Sequence, residues 1–162
     1  SQAKPHSVWK MMELKLYKRP LAAITIAGDR VRVTPGVIAK FGDALSNGGV
    51  NVYCVASGEY SISFYVDEAD YDKAKSALHD VVERQSAFGS LGLAKNIGMI
   101  SVTGQEFIDS PGMLLRMLEP LAKEKVNILS ISTSFDSVVL FVDWEDARRS
   151  YETIEAQFVK GL

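Results

Sequence analysis

The feature that most constrains this chain is an internal repeat, which accounts for most of its 162 residues. When the sequence is shifted by 76 positions, identical residues recur at matching places in two copies, and no gap is needed. Repeats of this length are typical of chains built from similar structural units rather than around one continuous core. The matched residues include Ile24 with Ile100, Pro35-Gly36 with Pro111-Gly112, Val50-Asn51 with Val126-Asn127, and Val66-Asp67 with Val142-Asp143.

Each copy has the residue pattern of an α+β unit. In copy one, residues 21–27 and 61–66 alternate between apolar and polar side chains as strands do, and residues 37–45 carry apolar side chains at helical spacing. Thr34-Pro35 predicts an N-cap followed by proline at the first helical position. The segments follow the order β-α-β-β-α-β, so we predict an α+β fold class with two ferredoxin-like βαββαβ modules.

The second copy predicts the same elements with one irregularity. Strands are expected over residues 98–103, 126–132 and 137–142, and helices are expected to begin at Pro111 and near Asp146. Pro120 falls inside the first of these helices, where the missing N–H removes a hydrogen bond. We therefore expect that helix to be less regular than its counterpart in copy one.

The second copy also lacks a closing strand, because the sequence ends after its last helix. A strand-like segment over residues 13–17 precedes copy one and has no other place in the repeat. We therefore predict that this segment completes the second sheet and that the first module is inserted within the second. The predicted boundaries are 19–95 for module 1, and 8–18 plus 96–162 for module 2. The alternative is a second sheet of three strands.

Charge and composition exclude several classes of function. The net charge is −2, with no long block of like charge, which argues against nucleic acid or an acidic membrane as a partner. One cysteine and two histidines provide no disulfide and no metal-ligand cluster, so we expect a reduced, cytoplasmic protein without a bound metal. No phosphate-binding loop, nucleophile elbow or zinc signature is present, so the chain itself is expected to be non-catalytic.

Four segments resemble the tandem ACT domains at the C-terminus of aspartate kinases. They read ITIAG at 24–28, TPGVIAKF at 34–41, GVNV at 49–52 and ASGEYSISF at 56–64. In that family one ACT module is inserted into the other. The resemblance implies allosteric feedback by lysine or threonine, end products of the aspartate pathway. It also implies a kinase domain upstream, to which ATP and Mg would belong, and no cofactor in this region.

The resemblance also implies an effector site in module 1. The effector's carboxylate would accept backbone N–H groups at the helix start, and its ammonium would be bound by Glu59 and by carbonyl groups of residues 51–53. Carried over by position, the site comprises Val31, Thr34, Val37, Ile38, Asn51, Val52, Tyr53, Gly58 and Glu59.

Two positions depart from the family pattern. Lysine-sensing members place an aspartate where Tyr53 stands, and a serine where Gly58 stands. A phenol is neutral near pH 7 and cannot pair as an anion with the distal ammonium of lysine. Threonine, lysine and the absence of any effector therefore all stay open.

Several residues also have simpler interpretations. Glu59 can be a solvated turn residue, and Asn51 can satisfy backbone groups where the chain leaves a turn. Asp67 and Asp143 occupy equivalent positions before a helix, so we expect both to be helix caps.

The outer face of the predicted sheet carries Tyr65 in copy one, and Val139 and Phe141 in copy two. Both faces are more apolar than contact with water requires. We therefore expect a homodimer that buries these side chains. A stand-alone sensor acting on a separate enzyme, and a small enzyme on a ferredoxin-like fold, are the alternatives.

Overall fold

The structure is a computed structural model that describes residues 12–29, 31, 35–84, 89–109 and 111–160. The chain divides into two units, which we call module 1 and module 2. Module 1 comprises Arg19–Ile97, and module 2 comprises Ser1–Lys18 together with Gly98–Leu162.

Module 1 is a four-stranded antiparallel sheet with two helices. Its strands lie in the order β3 (Val52–Ser57), β4 (Ser61–Asp67), β2 (Leu21–Ala27) and β5 (Ser90–Thr103). Only the first part of β5, through Ile97, belongs to this module. A short 3₁₀ turn, Glu68–Asp70, leads into the second helix. The elements are β2 Leu21–Ala27, α1 Val37–Asn47, β3 Val52–Ser57, β4 Ser61–Asp67, α2 Tyr71–Arg84 and β5 Ser90–Thr103.

Module 2 repeats this arrangement. The second part of β5 lies between β7 (Ser137–Asp143) and β1 (Glu13–Leu16), and β6 (Ile128–Thr133) pairs with β7. The strand order is therefore β6-β7-β5-β1. The elements are β1 Glu13–Leu16, the one-turn α3 Glu106–Asp109, α4 Met113–Lys123, β6 Ile128–Thr133, β7 Ser137–Asp143 and α5 Trp144–Glu155, followed by a π-helical turn at Ala156–Lys160.

Strand β1 pairs with the second part of β5. Glu13 lies opposite Thr103 and Leu16 opposite Ile100 in an antiparallel register, and the N–H of Tyr17 donates to the carbonyl of Met99 at 3.0 Å. The segment that precedes the first repeat therefore lies beside the second part of β5.

The two cores use equivalent positions of the repeat. In module 1 the rings of Phe41 and Phe64 meet edge to face with centroids 6.1 Å apart. The equivalent residues of module 2 are Met117 and Leu140, which are also fully buried. Module 1 buries Ile24, Ile26, Val37, Leu45, Val50, Ile62 and Val66, and module 2 buries Ile100, Val102, Met113, Leu121, Val126, Val138 and Val142.

The Pro-Gly motif ends a turn and does not begin a helix as we expected. The helix that follows the motif in each module starts one residue after the glycine, at Val37 and at Met113. Gly36 and Gly112 have φ angles of 75° and 85°, in the left-handed region that L side chains rarely adopt. The repeated glycine therefore reflects a backbone requirement at the helix entry. Thr34, the predicted N-cap, lies outside the described residues.

Pro120 does not interrupt its helix. Helix α4 continues through it to Lys123 and has the same 11-residue length as α1. The loss is limited to the N–H that would have bonded to the carbonyl of Arg116. The proline therefore does not shorten the helix, and lower regularity within it stays a prediction.

One equivalent pair of core positions differs in polarity. Ala74 is fully buried in module 1, and Ser150 is fully buried at the matching position of module 2. Among the residues that the structure describes, the hydroxyl of Ser150 has no hydrogen-bond partner. A buried hydroxyl without a partner costs free energy that a methyl group does not.

We therefore expect Ser150→Ala to raise the free energy of unfolding by about 1 kcal/mol, because it removes an unsatisfied group at little change in volume. Ala74→Ser is the matched reverse change in module 1 and should lower it by a similar amount. Urea denaturation followed by circular dichroism measures both. A destabilised Ser150→Ala variant would show that the hydroxyl has a partner in solution.

Candidate functional site

The start of helix α1 provides backbone donors for an anion. The first N–H to bond within the helix is that of Lys40, which donates to the carbonyl of Gly36 at 3.1 Å. The N–H groups of residues 37–39 belong to the first turn, which an α-helix leaves without intrahelical partners. The N-cap residue, Gly36, has no side chain that could cap this end. The positive end of the helix dipole adds to the attraction for a carboxylate.

The β3–β4 turn lies at the same end of module 1 as this helix start. The N–H of Gly28, which follows β2, donates to the carbonyl of Tyr60 at 2.9 Å, and Ala27 pairs with Ser61. The turn is closed by the N–H of Gly58, which donates to the carbonyl of Ser61 at 2.8 Å. Glu59 is exposed at the tip of this turn, so its carboxylate is placed at the end of the sheet where α1 begins.

Asn51, Val52 and Tyr53 lie at the opposite end of the sheet. Val52 pairs with Val66, near the last residue of β4, whereas Ser57 pairs with Ile62 near its first. Five residue steps of an extended strand separate Val52 from Ser57, a distance of about 17 Å. A single amino acid is much shorter than this, so one copy of module 1 does not bring these two groups of predicted residues into one site.

The remaining predicted residues differ in accessibility. The side chains of Val31 and Val37 are buried in the core of module 1, so these residues can offer only backbone groups to a ligand. Ile38 is 46% exposed beside them. Thr34 lies outside the described residues.

A polar network that the sequence did not indicate surrounds Tyr53. Its hydroxyl donates to Oδ2 of Asp67 at 2.9 Å, and the guanidinium of Arg19 donates to the same oxygen at 2.9 Å. The expected capping role of Asp67 was wrong, because its side chain makes no capping hydrogen bond. Asp143 occupies the N-cap position of α5 but also makes no side-chain cap.

Module 2 presents a different surface at the position of Glu59. The equivalent residue is Phe135, whose ring is 77% exposed. The N–H of Gly104 donates to the carbonyl of Asp136 at 2.8 Å, so the turn and the helix entry meet as in module 1. The geometry of the site is thus kept in module 2, but the carboxylate that could bind an ammonium group is replaced by an aromatic ring. Exposed apolar side chains near this end also include Ile108, Leu114 and Leu115.

A cavity lies elsewhere in module 2, beside the first turns of α5. It has a volume of about 680 Å³ and contains none of the predicted effector residues. Partial burial, with the nearby charge of Glu155, raises the pKa of Tyr151 in its wall. The cavity is lined by Leu16, Tyr17, Lys18, Trp144, Glu145, Ala147, Arg148 and Tyr151.

The outer faces of the sheets are less exposed than we expected. Tyr65 and Phe141 are buried within the single chain, with 5% and 0% of their surface exposed, whereas Val139 is half-buried. The apolar character of Tyr65 and Phe141 therefore needs no second copy, and the homodimer stays a prediction.

Within the described part of the chain, no group of three or more His, Cys, Asp or Glu side chains is placed to hold a metal ion. In the same residues, no helix has the length and apolar character needed to cross a membrane.

Comparison with protein-family models finds an ACT domain in each module. An ACT-domain model matches residues 24–82, and a second ACT-domain model matches residues 93–156. Together these matches cover more than half of the chain.

Individual relatives extend across both modules. An aspartate kinase of Stutzerimonas stutzeri is 31% identical over 132 residues, which is 78% of this chain and 31% of that protein. A bifunctional aspartokinase/homoserine dehydrogenase of Arabidopsis thaliana is 24% identical over 145 residues, covering 85% of this chain and 16% of that protein. The chain thus spans between about a sixth and a third of the length of these curated relatives.

Solved structures share the fold. The ligand-free regulatory subunit of aspartate kinase from Thermus thermophilus superposes with a TM-score of 0.75 at 23% identity, covering 90% of this chain and 97% of that subunit. At this identity the likeness establishes the fold alone.

Proposed function

The chain belongs to the ACT-domain family, and from this premise we propose that it is the regulatory region of an aspartate kinase. An end product of the pathway, threonine or lysine, would bind module 1 and control a kinase domain that lies upstream. The observation that carries this proposal is the alignment with aspartate kinases across both modules, at 31% identity over 132 residues. ATP and Mg²⁺ would act in the kinase domain, and this region would need no cofactor.

The chemistry of the proposed effector site follows from two charged ends. A free amino acid has a carboxylate, which the N–H groups at the start of α1 can bind, and an ammonium group, which needs an anion or carbonyl oxygens. Glu59 lies at the same end of the sheet as that helix start. Asn51 and Tyr53 lie at the other end, so their participation requires a second copy of module 1.

A symmetric dimer through β3 would bring the two groups together. Strand β3 is at the edge of the module 1 sheet, and antiparallel pairing across a two-fold axis places the first residues of one strand beside the last residues of the other. Edge strands that stay unpaired usually carry charged residues or proline, but β3 reads VYCVAS and has neither. Val52 and Val55 are exposed along it.

Such an arrangement supports allosteric control in physical terms. A ligand held between two copies binds best at one relative orientation, and that difference in affinity shifts the population of orientations. The upstream kinase domains would sense this shift. Threonine is favoured over lysine as the effector, because Tyr53 provides no distal carboxylate.

A second function is favoured by one specific observation. The Thermus thermophilus regulatory subunit is matched over 97% of its length, so a chain of this size can be a whole regulatory subunit in another organism. The alternative is therefore a stand-alone ACT-domain sensor that acts on a separate enzyme of amino-acid biosynthesis. Whether kinase sequence precedes Ser1 in the gene separates these two functions.

Glu59→Ala should weaken threonine binding by roughly 5- to 150-fold, because the ammonium group loses a charged hydrogen-bond partner. Calorimetric titration of the pure chain with threonine, lysine and methionine measures the affinities. Glu83→Ala is the control, since Glu83 is an exposed carboxylate on α2 and should have no effect. No binding of any of the three amino acids would contradict the proposed site.

Val55→Lys should convert the homodimer to a monomer at tens of micromolar, because it places two buried charges at the β3–β3 pairing. Ile131→Lys is the matched control, since Ile131 occupies the equivalent position of β6 and is similarly exposed. Light scattering gives the mass. A wild-type monomer, or a dimer that Ile131→Lys disrupts and Val55→Lys does not, would contradict pairing through β3.

A further inference from the structure

One buried carboxylate oxygen joins two residues at the β3 end of module 1. Oδ2 of Asp67 accepts hydrogen bonds from Nη2 of Arg19 and from the hydroxyl of Tyr53, each at 2.9 Å. The guanidinium and the phenol can therefore be no more than about 6 Å apart. The Asp67 side chain is 11% exposed, whereas that of Arg19 is 65% exposed. This end of the module thus presents a cation to solvent and keeps its carboxylate covered.

The strand register places this network beside the proposed effector residues. Asp67 pairs with Leu21, which follows Arg19 closely, and Val66 pairs with Val52. Asn51 and Val52 therefore lie at the same end of the sheet as the three residues of the network. Tyr53 is itself at the position where lysine-sensing relatives are expected to place an aspartate.

The network changes the charge that an effector meets at Tyr53. Asp67 could have supplied the carboxylate that Tyr53 lacks, but its charge is already compensated by Arg19. An ammonium group brought to the phenol would meet both charges of the ion pair, because Oδ2 of Asp67 is 2.9 Å from the phenol oxygen and the guanidinium of Arg19 is bonded to that same Oδ2. The attraction and the repulsion largely cancel, so the ammonium group would lose its hydration without gaining a charged partner. A hydroxyl or methyl group brought to the same place loses no hydration of a charge.

We infer that Arg19, by compensating the charge of Asp67 beside Tyr53, determines effector specificity against amino acids with a cationic side chain. This inference rests on the proposed function, because it concerns the ligand of the same site. Arg19 pairs with the carboxylate that would otherwise bind the distal ammonium group of lysine, whereas a neutral side chain needs no such partner.

The internal repeat supplies a comparison within the same chain. The positions equivalent to Arg19, Tyr53 and Asp67 are Lys95, Leu129 and Asp143. Lys95 lies instead over the ring of Tyr71, with its ammonium 4.1 Å from the centroid, and Asp143 is exposed. The three-residue network therefore does not follow from the fold alone, because the same fold in module 2 does without it.

The test compares ligands that differ in side-chain charge. Calorimetry on the full chain gives the dissociation constants of L-lysine, L-norleucine and L-threonine for the wild type and for Arg19→Gln. Norleucine is lysine without the distal ammonium, so the pair isolates the charge. We expect Arg19→Gln to shift the ratio of lysine to norleucine affinity, and of lysine to threonine affinity, toward lysine by about tenfold.

Three further variants separate charge from structure. Arg19→Lys keeps the charge and should keep the wild-type ratios, and Asp143→Asn changes the equivalent carboxylate of module 2 and should also leave them unchanged. Arg19→Met removes the charge with a side chain of similar length, and replaces Arg19→Gln if thermal unfolding shows that the glutamine variant does not fold. A purely structural role for Arg19 would change the unfolding temperature and leave the affinity ratios constant.

The outcomes distinguish this inference from the proposed function. Threonine binding with lysine ratios that Arg19→Gln and Arg19→Met leave unchanged would overturn the specificity role alone. Lysine binding to the wild type more tightly than norleucine and threonine would also overturn it. If none of the three amino acids binds the wild type or the variants, the proposed function fails and this inference fails with it.

Discussion

The architecture depends on the backbone pairing of one strand, β5. Its first part hydrogen-bonds to β2 in module 1, and its second part pairs with β1 and β7 in module 2. Neither sheet has its full set of strands without it. Backbone hydrogen bonds hold neighbouring strands together and also fix their register. The pairing of β5 therefore helps to determine which side chains of each repeat face the core of its module. The equivalent core positions of the two modules follow from that shared constraint.

Much of the fold could be predicted because it depends on local periodicity. Alternation identified the strands, helical spacing identified Phe41 and Leu45 as core residues, and the repeat tied each element to its counterpart. The helix starts were placed wrongly because proline is common both at the first helical position and in turns. Only the φ angles of Gly36 and Gly112 distinguish the two cases. Composition does not encode those angles directly.

The candidate site was less predictable because it depends on contacts between distant residues. Arg19 and Asp67 are separated by 48 positions in the sequence, and their hydrogen bond exists only because β2 and β4 pair in one register. Periodicity placed Tyr65 and Phe141 on the outer faces of the sheets, but it did not predict that both are buried within the chain. Likewise, Asn51 and Glu59 lie at opposite ends of the sheet because β3 runs along it from one end to the other. Resemblance to a family transfers a set of residues, and topology decides which of them one protomer can bring together.

The difference between Glu59 and Phe135 bears on how tandem modules of this kind diversify. Module 2 keeps the left-handed glycine, the closed turn and the core positions of the repeat, although its tip carries an aromatic ring in place of a carboxylate. The residues that specify the fold are thus separate from those that could recognise a ligand. After duplication, one copy can lose or exchange its chemistry at the tip while its core stays under unchanged selection. A tandem pair of this kind is therefore a stable scaffold on which new recognition can evolve by substitution at a few exposed positions.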